Sequence, residues 1–146
     1  MASREEGELP RQDSAQGLEA SGAAVGASAE TQGSLRARIS HAMVGMKKDY
    51  YGKGPTKVQT YFDDNYVFVV MEGGLTRNEE TLLEAGEQQL VRNYRLRFQE
   101  VMAATAIGAV EEILQRKVLT YHSQIVFDPE RAFEIFVLDA PPTERV

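Results

Sequence analysis

Beyond Gly33 the apolar residues fall at helical intervals. Leu35, Ile39, Met43, Met46 and Tyr50 recur three or four positions apart, one stripe of an amphipathic helix. Arg36, Ser40, Lys47 and Lys48 lie outside that stripe, and His41 falls on its far side. Ser34 is placed to cap the N-terminus, and Gly52 is the glycine expected just past the last turn. The period then shortens to two. TKVQTYF sets Val58, Thr60 and Phe62 against Lys57, Gln59 and Tyr61, and NYVFVVME is a β-branched and aromatic run. The short polar Asp63-Asp64-Asn65 between them, whose Asn tolerates a positive φ, predicts a hairpin, and the second strand stops at Gly73-Gly74.

In LTRNEETLLEAG, Thr76 and Glu79 stand at capping-box spacing, which predicts a short helix ending near Gly86. A long helix follows, with Leu90, Tyr94, Phe98, Val101, Thr105, Ala109 and Ile113 on its stripe. Its small-residue middle, Ala103 to Ala109, suits close backbone approach. KVLTYHSQIVF alternates Leu119, Tyr121, Ser123, Ile125 and Phe127 against Val118, Thr120, His122 and Gln124. After the DPER turn, AFEIFVLD carries Phe133, Ile135 and Val137 in step, and Ala140-Pro141-Pro142 ends it. The order α-β-β-α-α-β-β predicts an α+β fold with two layers. Two β-hairpins form a four-stranded antiparallel sheet, and helices cover one of its faces.

Residues 1–33 lack Phe, Tyr and Ile and are rich in Ala, Gly, Ser and Glu. Such a segment buries too little apolar surface to offset the entropy of ordering it, so a disordered tail is expected there. The single α+β domain then covers 34–140, and 141–146 form a short C-terminal tail. The N-terminal tail holds Glu5, Glu6, Glu8, Asp13, Glu19 and Glu30 against Arg4 and Arg11, most of the net charge of −6. The remaining domain is close to neutral, so nucleic acid is not the expected partner. Without cysteine the chain has no disulfide, catalytic thiol or thiolate metal site. The acidic N-terminus does not read as a secretory signal, and the strongest apolar run, Val67 to Met71, is too short to insert in a bilayer. A cytoplasmic protein is expected, at most peripheral to the membrane.

Tyr50 to Asp64, YYGKGPTKVQTYFDD, has the residues of a phosphate loop but not the arrangement. Walker A spacing is absent, Lys53 is followed by Gly54, and the helix precedes the loop instead of following it. The loop reads as a helix end and a turn, with Lys53 near the negative end of the helix dipole. His41 and His122 have no partner at ligand spacing, so neither a metal nor any other cofactor is expected. The pairs Asp63-Asp64, Glu79-Glu80 and Glu111-Glu112 read as turn, cap and solvated helix face, and no catalytic residue is assigned. One basic cluster, Arg36, Arg38, Lys47, Lys48, Lys53 and Lys57, beside Tyr50 and Tyr51, is a candidate partner patch.

The stretches GKGPTKVQTYFDDNYVFVVMEGGLTRNEE and EILQRKVLTYHSQIVFDPERAFEIFVLD resemble a family of small bacterial proteins named after MpsC. The matching features are Gly52-Lys53-Gly54-Pro55, Gly74-Leu75-Thr76 with Glu79, and Phe136-Val137-Leu138-Asp139, within roughly residues 34–139. Members often carry glycine before the third strand, where this chain has Arg116-Lys117. The resemblance implies an accessory protein of a membrane-potential-generating system linked to sodium and inorganic carbon. It brings no catalytic residues, and the roles of its motif positions are unknown. An integral membrane transporter subunit is the partner it implies.

Three function classes stay open on the residues: a non-enzymatic interaction domain, a regulatory or nucleic-acid-binding module using the basic first helix, and a ligand binder or enzyme with an unrecognised site. Self-association is also expected. If Phe62, Val67, Val69, Leu119, Tyr121 and Ile125 face the core, then Tyr66, Phe68 and Val70 form an outward apolar patch that a homodimer would cover. A one-residue slip would exchange the two faces.

Overall fold

A computed structural model describes residues 22–142, with 22–31 described by backbone alone. Seven elements occur in the expected order: α1 (Gly22–Tyr51), β1 (Lys57–Asp63), β2 (Tyr66–Glu72), α2 (Arg77–Glu84), α3 (Gln88–Leu114), β3 (Val118–Val126) and β4 (Arg131–Leu138). The chain divides into two units at Gly33/Ser34, and the sheet and its core belong to the second. Helix α1 begins earlier than its stripe predicts, so Ser34 lies inside the helix and is not its N-cap. Residues 1–21 of the expected N-terminal tail and 143–146 of the C-terminal one lie outside the described residues.

The sheet is antiparallel throughout, in the order β1-β2-β4-β3. The two hairpins thus meet along β2 and β4, leaving β1 and β3 at the edges. In the first turn Asp64, not Asn65, takes positive φ (56°). Asn65 instead pairs with Leu138, donating from Nδ2 to its carbonyl at 2.9 Å and accepting its amide at 2.8 Å. That exchange ties the first turn to the end of β4. Gly52 ends α1 as expected, at φ 81° with its amide on the Lys48 carbonyl at 2.8 Å. The turn before β3 takes its left-handed residue without glycine, at Gln115 (φ 55°).

The core lies between α1 and α3 and one face of the sheet. Ile39, Met43 and Met46 of α1 meet Met102, Ala106, Val110 and Leu114 of α3 over Val67, Val69, Met71, Phe136 and Leu138. The β1 and β2 phases agree with the alternation, and three other assignments do not. On α3 the buried stripe is Val91, Arg95, Gln99, Met102, Ala106, Val110 and Leu114, one position on from the one expected. Leu90, Tyr94 and Val101 are exposed, while Phe98, Ala109 and Ile113 flank the core. On β4 the buried residues are Ala132, Glu134, Phe136 and Leu138, so Phe133, Ile135 and Val137 point away from the helices. On β3 the register shifts between Val118 and Thr120, which buries Val118 and exposes Leu119. A bulge of this kind inserts one unpaired residue and resets the alternation, and beyond it Tyr121 and Ile125 face inward.

Candidate functional site

Two of the three family-motif segments, Gly52 to Pro55 and Gly74 to Glu79, converge on one corner, while Phe136 to Asp139 closes β4 at the other end of the sheet, beside Asn65. Lys53 reaches from the end of α1 to donate to the Leu75 carbonyl at 2.9 Å. A β-carbon on Gly74 would sit 3.6 Å from Pro55, so the two motif segments touch. Thr76 caps α2 through both halves of a capping box: its hydroxyl accepts the Glu79 amide at 3.3 Å, and Glu79 Oε1 accepts the Thr76 amide at 2.8 Å. Glu79 is almost wholly buried, and what holds it there is Arg95 of α3. Arg95 donates to both carboxylate oxygens, at 2.6 and 2.5 Å, and to the Gly74 carbonyl at 2.8 Å. Burial alone would raise the Glu79 carboxyl, but the guanidinium and the Thr76 groups outweigh it and hold the carboxyl below its ordinary range. Burial likewise opposes the charge on Arg95, and Glu79 more than restores it.

A second charged group continues inward from the first. The Arg95 guanidinium lies 3.9 Å from the Tyr51 ring centroid, and Lys47 approaches the same ring at 5.8 Å. Lys47 is 2% exposed and donates to Glu134 Oε2 at 3.1 Å; Glu134 is 0% exposed. Ser123 donates to the same oxygen at 3.1 Å, and Tyr121 donates to Oε1. With its amide oxygen turned to Lys47 at 2.5 Å, Gln99 adds a donor to Glu134 at 3.1 Å. One carboxylate on β4 therefore gathers donors from α1, α3 and β3. Burial pushes the Lys47 ammonium below its ordinary range against the pull of Glu134. It pushes the Tyr121 phenol up, and Glu134 pushes it the same way. The Tyr51 hydroxyl is buried without a hydrogen-bond partner among the described residues, and burial raises its pKa too. With Glu134 and Lys47 closed to solvent, this group braces the helices against the sheet.

The expected basic patch loses Lys47 to the core. Lys47 points into the core because it shares a helix face with Met43 and Met46, and Lys53 is engaged with Leu75. Arg36 lies over the Phe62 ring at 5.7 Å, and Lys57 stands on β1 near Glu72 at 4.0 Å. Arg38 and Lys48 remain exposed on α1. The loop holding Lys53 lies between a helix and a following strand, the reverse of a phosphate loop. Glu111 is not a free helix-face carboxylate, since it accepts the Val118 amide at 2.9 Å. His41 and His122 are both exposed, and no metal-ligand cluster occurs among the described residues. In a shallow depression of about 530 Å³ between Glu111, Arg116, Lys117 and Asp139, the Glu111, Arg116 and Asp139 side chains are turned to neighbouring backbone.

The face of the sheet away from the helices has a different character. Strand register places side chains in rows across it. One row is Tyr61, Phe68, Ile135 and His122, the next Gln59, Val70, Phe133 and Gln124. Asp63, Tyr66, Val137 and Thr120 make the row at one end. At the other end Lys57 and Arg131 flank Glu72, at 4.0 and 3.4 Å. The two central strands thus carry an outward band of Tyr66, Phe68, Val70, Phe133, Ile135 and Val137, of which Tyr66 is exposed and the rest half-buried, with Tyr61 beside it 52% exposed. Alternation places Tyr66, Phe68 and Val70 there; it misses the β4 half of the band because Glu134 occupies a core position.

Residues 95, 99 and 134 are the polar members of apolar stripes, and only the tertiary pairing reveals them. No helix of the described residues is long and apolar enough to cross a membrane. No solved structure matches the chain. The uncharacterized protein YrhF of Bacillus subtilis (strain 168) is 25% identical over 102 residues, covering 68% of this chain and 84% of that one. A family profile described as "Na+-translocating membrane potential-generating system (MpsC)" matches residues 31–140, the span that holds the motif corner, the buried charges and the open sheet face. On that match the chain belongs to the MpsC family.

Proposed function

We propose that this chain is a non-enzymatic accessory domain of a sodium-linked, membrane-potential-generating system, cytoplasmic and held at the membrane by an integral membrane protein. The observation that carries this reading is a contrast between two surfaces. The charged groups that could do chemistry are closed in and occupied with one another, while an apolar band of the sheet faces outward. Enzymes place titratable groups at a reachable cleft; contact proteins place apolar area at the surface. The family description supplies the system. With Lys47 turned into the core and Lys53 held on the Leu75 carbonyl, a nucleic-acid module built on α1 has the weaker support.

The test is a deletion strain read with a voltage-sensitive dye. Loss of the gene should lower the membrane potential, and the wild-type chain should restore it. The chain should also sediment with membranes only when the membrane subunit is present. An unchanged potential in the deletion strain overturns the reading, as does equal binding to protein-free anionic vesicles.

A further inference from the structure

We propose that the open sheet face is covered by a second copy of this chain, and that the two sheets pack face to face with their strands running in opposite senses. This rests on the accessory-domain reading only in assigning the protein a contact role. The occupant follows from the charge along the face. Its Asp63 end carries Asp63, Asp64 and Asp139, all exposed, with Lys117 beside Asp139, and is acidic on balance. Its other end carries Lys57, with a side chain 73% exposed, and Arg131, which share the single carboxylate of Glu72. The middle rows are apolar on β2 and β4. Such a face is complementary to itself turned end for end.

A two-fold axis relating opposed faces must lie in the plane between them. An axis parallel to the strands would bring acidic end to acidic end and basic end to basic end, a repulsive arrangement. An axis perpendicular to the strands does the opposite. It sets Asp63 over the partner's Lys57 and Lys57 over the partner's Asp63. It also sets Tyr66 over the partner's Glu72, within reach of a phenol-to-carboxylate hydrogen bond. The central rows then superpose large on smaller: Phe68 over the partner's Val70, and Ile135 over the partner's Phe133. Aligned sheets interdigitate through such alternation at a separation of about 10 Å. Charge chooses the axis, and the apolar rows fit the choice.

The absence of cysteine makes this testable by cross-linking. Asp63 and Lys57 lie on one strand, about 20 Å apart within a copy at the usual rise per residue, too far for an internal disulfide. Facing residues on sheets about 10 Å apart lie beyond disulfide reach, so Asp63→Cys/Lys57→Cys should be joined into a covalent dimer by a bis-maleimide of about 10 Å span, too short to bridge the two sites within a copy, while either single substitution should not. In sedimentation the wild type should be dimeric at tens of micromolar. Asp63→Lys and Lys57→Glu should each weaken the dimer about tenfold, and the double reversal should recover it. Phe68→Glu should give a monomer with an unchanged circular dichroism spectrum. A monomeric wild type, a dimer indifferent to Phe68→Glu, or charge reversals that do not rescue each other would overturn the proposal. Should Phe68→Glu misfold, the exposed Asp63 and Lys57 variants decide alone. A monomer that still restores the membrane potential would sink the dimer and leave the accessory reading standing.

Discussion

Glu134 illustrates how much one side chain can organise. A carboxylate closed to solvent is costly unless its oxygens are occupied, and Lys47, Ser123, Gln99 and Tyr121 occupy them. Breaking such a pair leaves an uncompensated buried charge, so Glu134→Ala should lower stability in urea by about 3–5 kcal/mol. Adding Lys47→Met to it should recover part of that loss, because the stranded ammonium goes with it. Two glycines allow a finer comparison. Gly52 has φ 81° and nothing within 4 Å of an added β-carbon, so Gly52→Ala should cost about 1 kcal/mol from backbone strain alone. Gly73 has φ 79°, and its added β-carbon would meet the Thr56 hydroxyl oxygen at 2.1 Å. Gly73→Ala should therefore cost distinctly more in the same measurement.

Helix α3 shows what periodicity can and cannot reveal. Its extent and the capping box of α2 were readable, because caps and breakers act locally. Its phase was not, because Arg95 and Gln99 sit on the buried stripe and make the neighbouring one, with Leu90, Tyr94 and Val101, the more apolar. Glu134 hid the phase of β4 in the same way, and the bulge at Leu119 hid that of β3. The motif corner was legible as residues but not as an assembly, since Lys53 and Arg95 join segments far apart in sequence. The phase is testable: Met102→Ala should cost about 2–5 kcal/mol in thermal or urea unfolding, while Val101→Gln should change stability by less than about 0.5 kcal/mol. The α2–α3 contact adds a pH signature. Glu79 titrates lower folded than unfolded, so its contribution is complete above the ordinary carboxylate range and is lost as pH falls through its folded value. The melting temperature of wild type should decline across that acidic window. Glu79→Gln should start lower at neutral pH and decline less there.

The body of the molecule is one two-layer unit whose described core takes nothing from before Leu35. A chain starting at Ser34 should therefore melt within a few degrees of the full-length protein, and a larger fall would mean that the preceding segment contributes to the core. The strand order β1-β2-β4-β3 also bears on how the chain is made. Strand β4 follows the other three in the chain yet enters the middle of the sheet, so the first hairpin lacks its neighbour until β4 arrives. Until β4 leaves the ribosome, β2 offers an unpaired edge and Lys47 has no carboxylate, since its partner lies 87 residues downstream. Docking α1 on the first hairpin at that stage would bury a bare ammonium. Nascent chains should accordingly stay open, and sensitive to protease, until β4 has been translated.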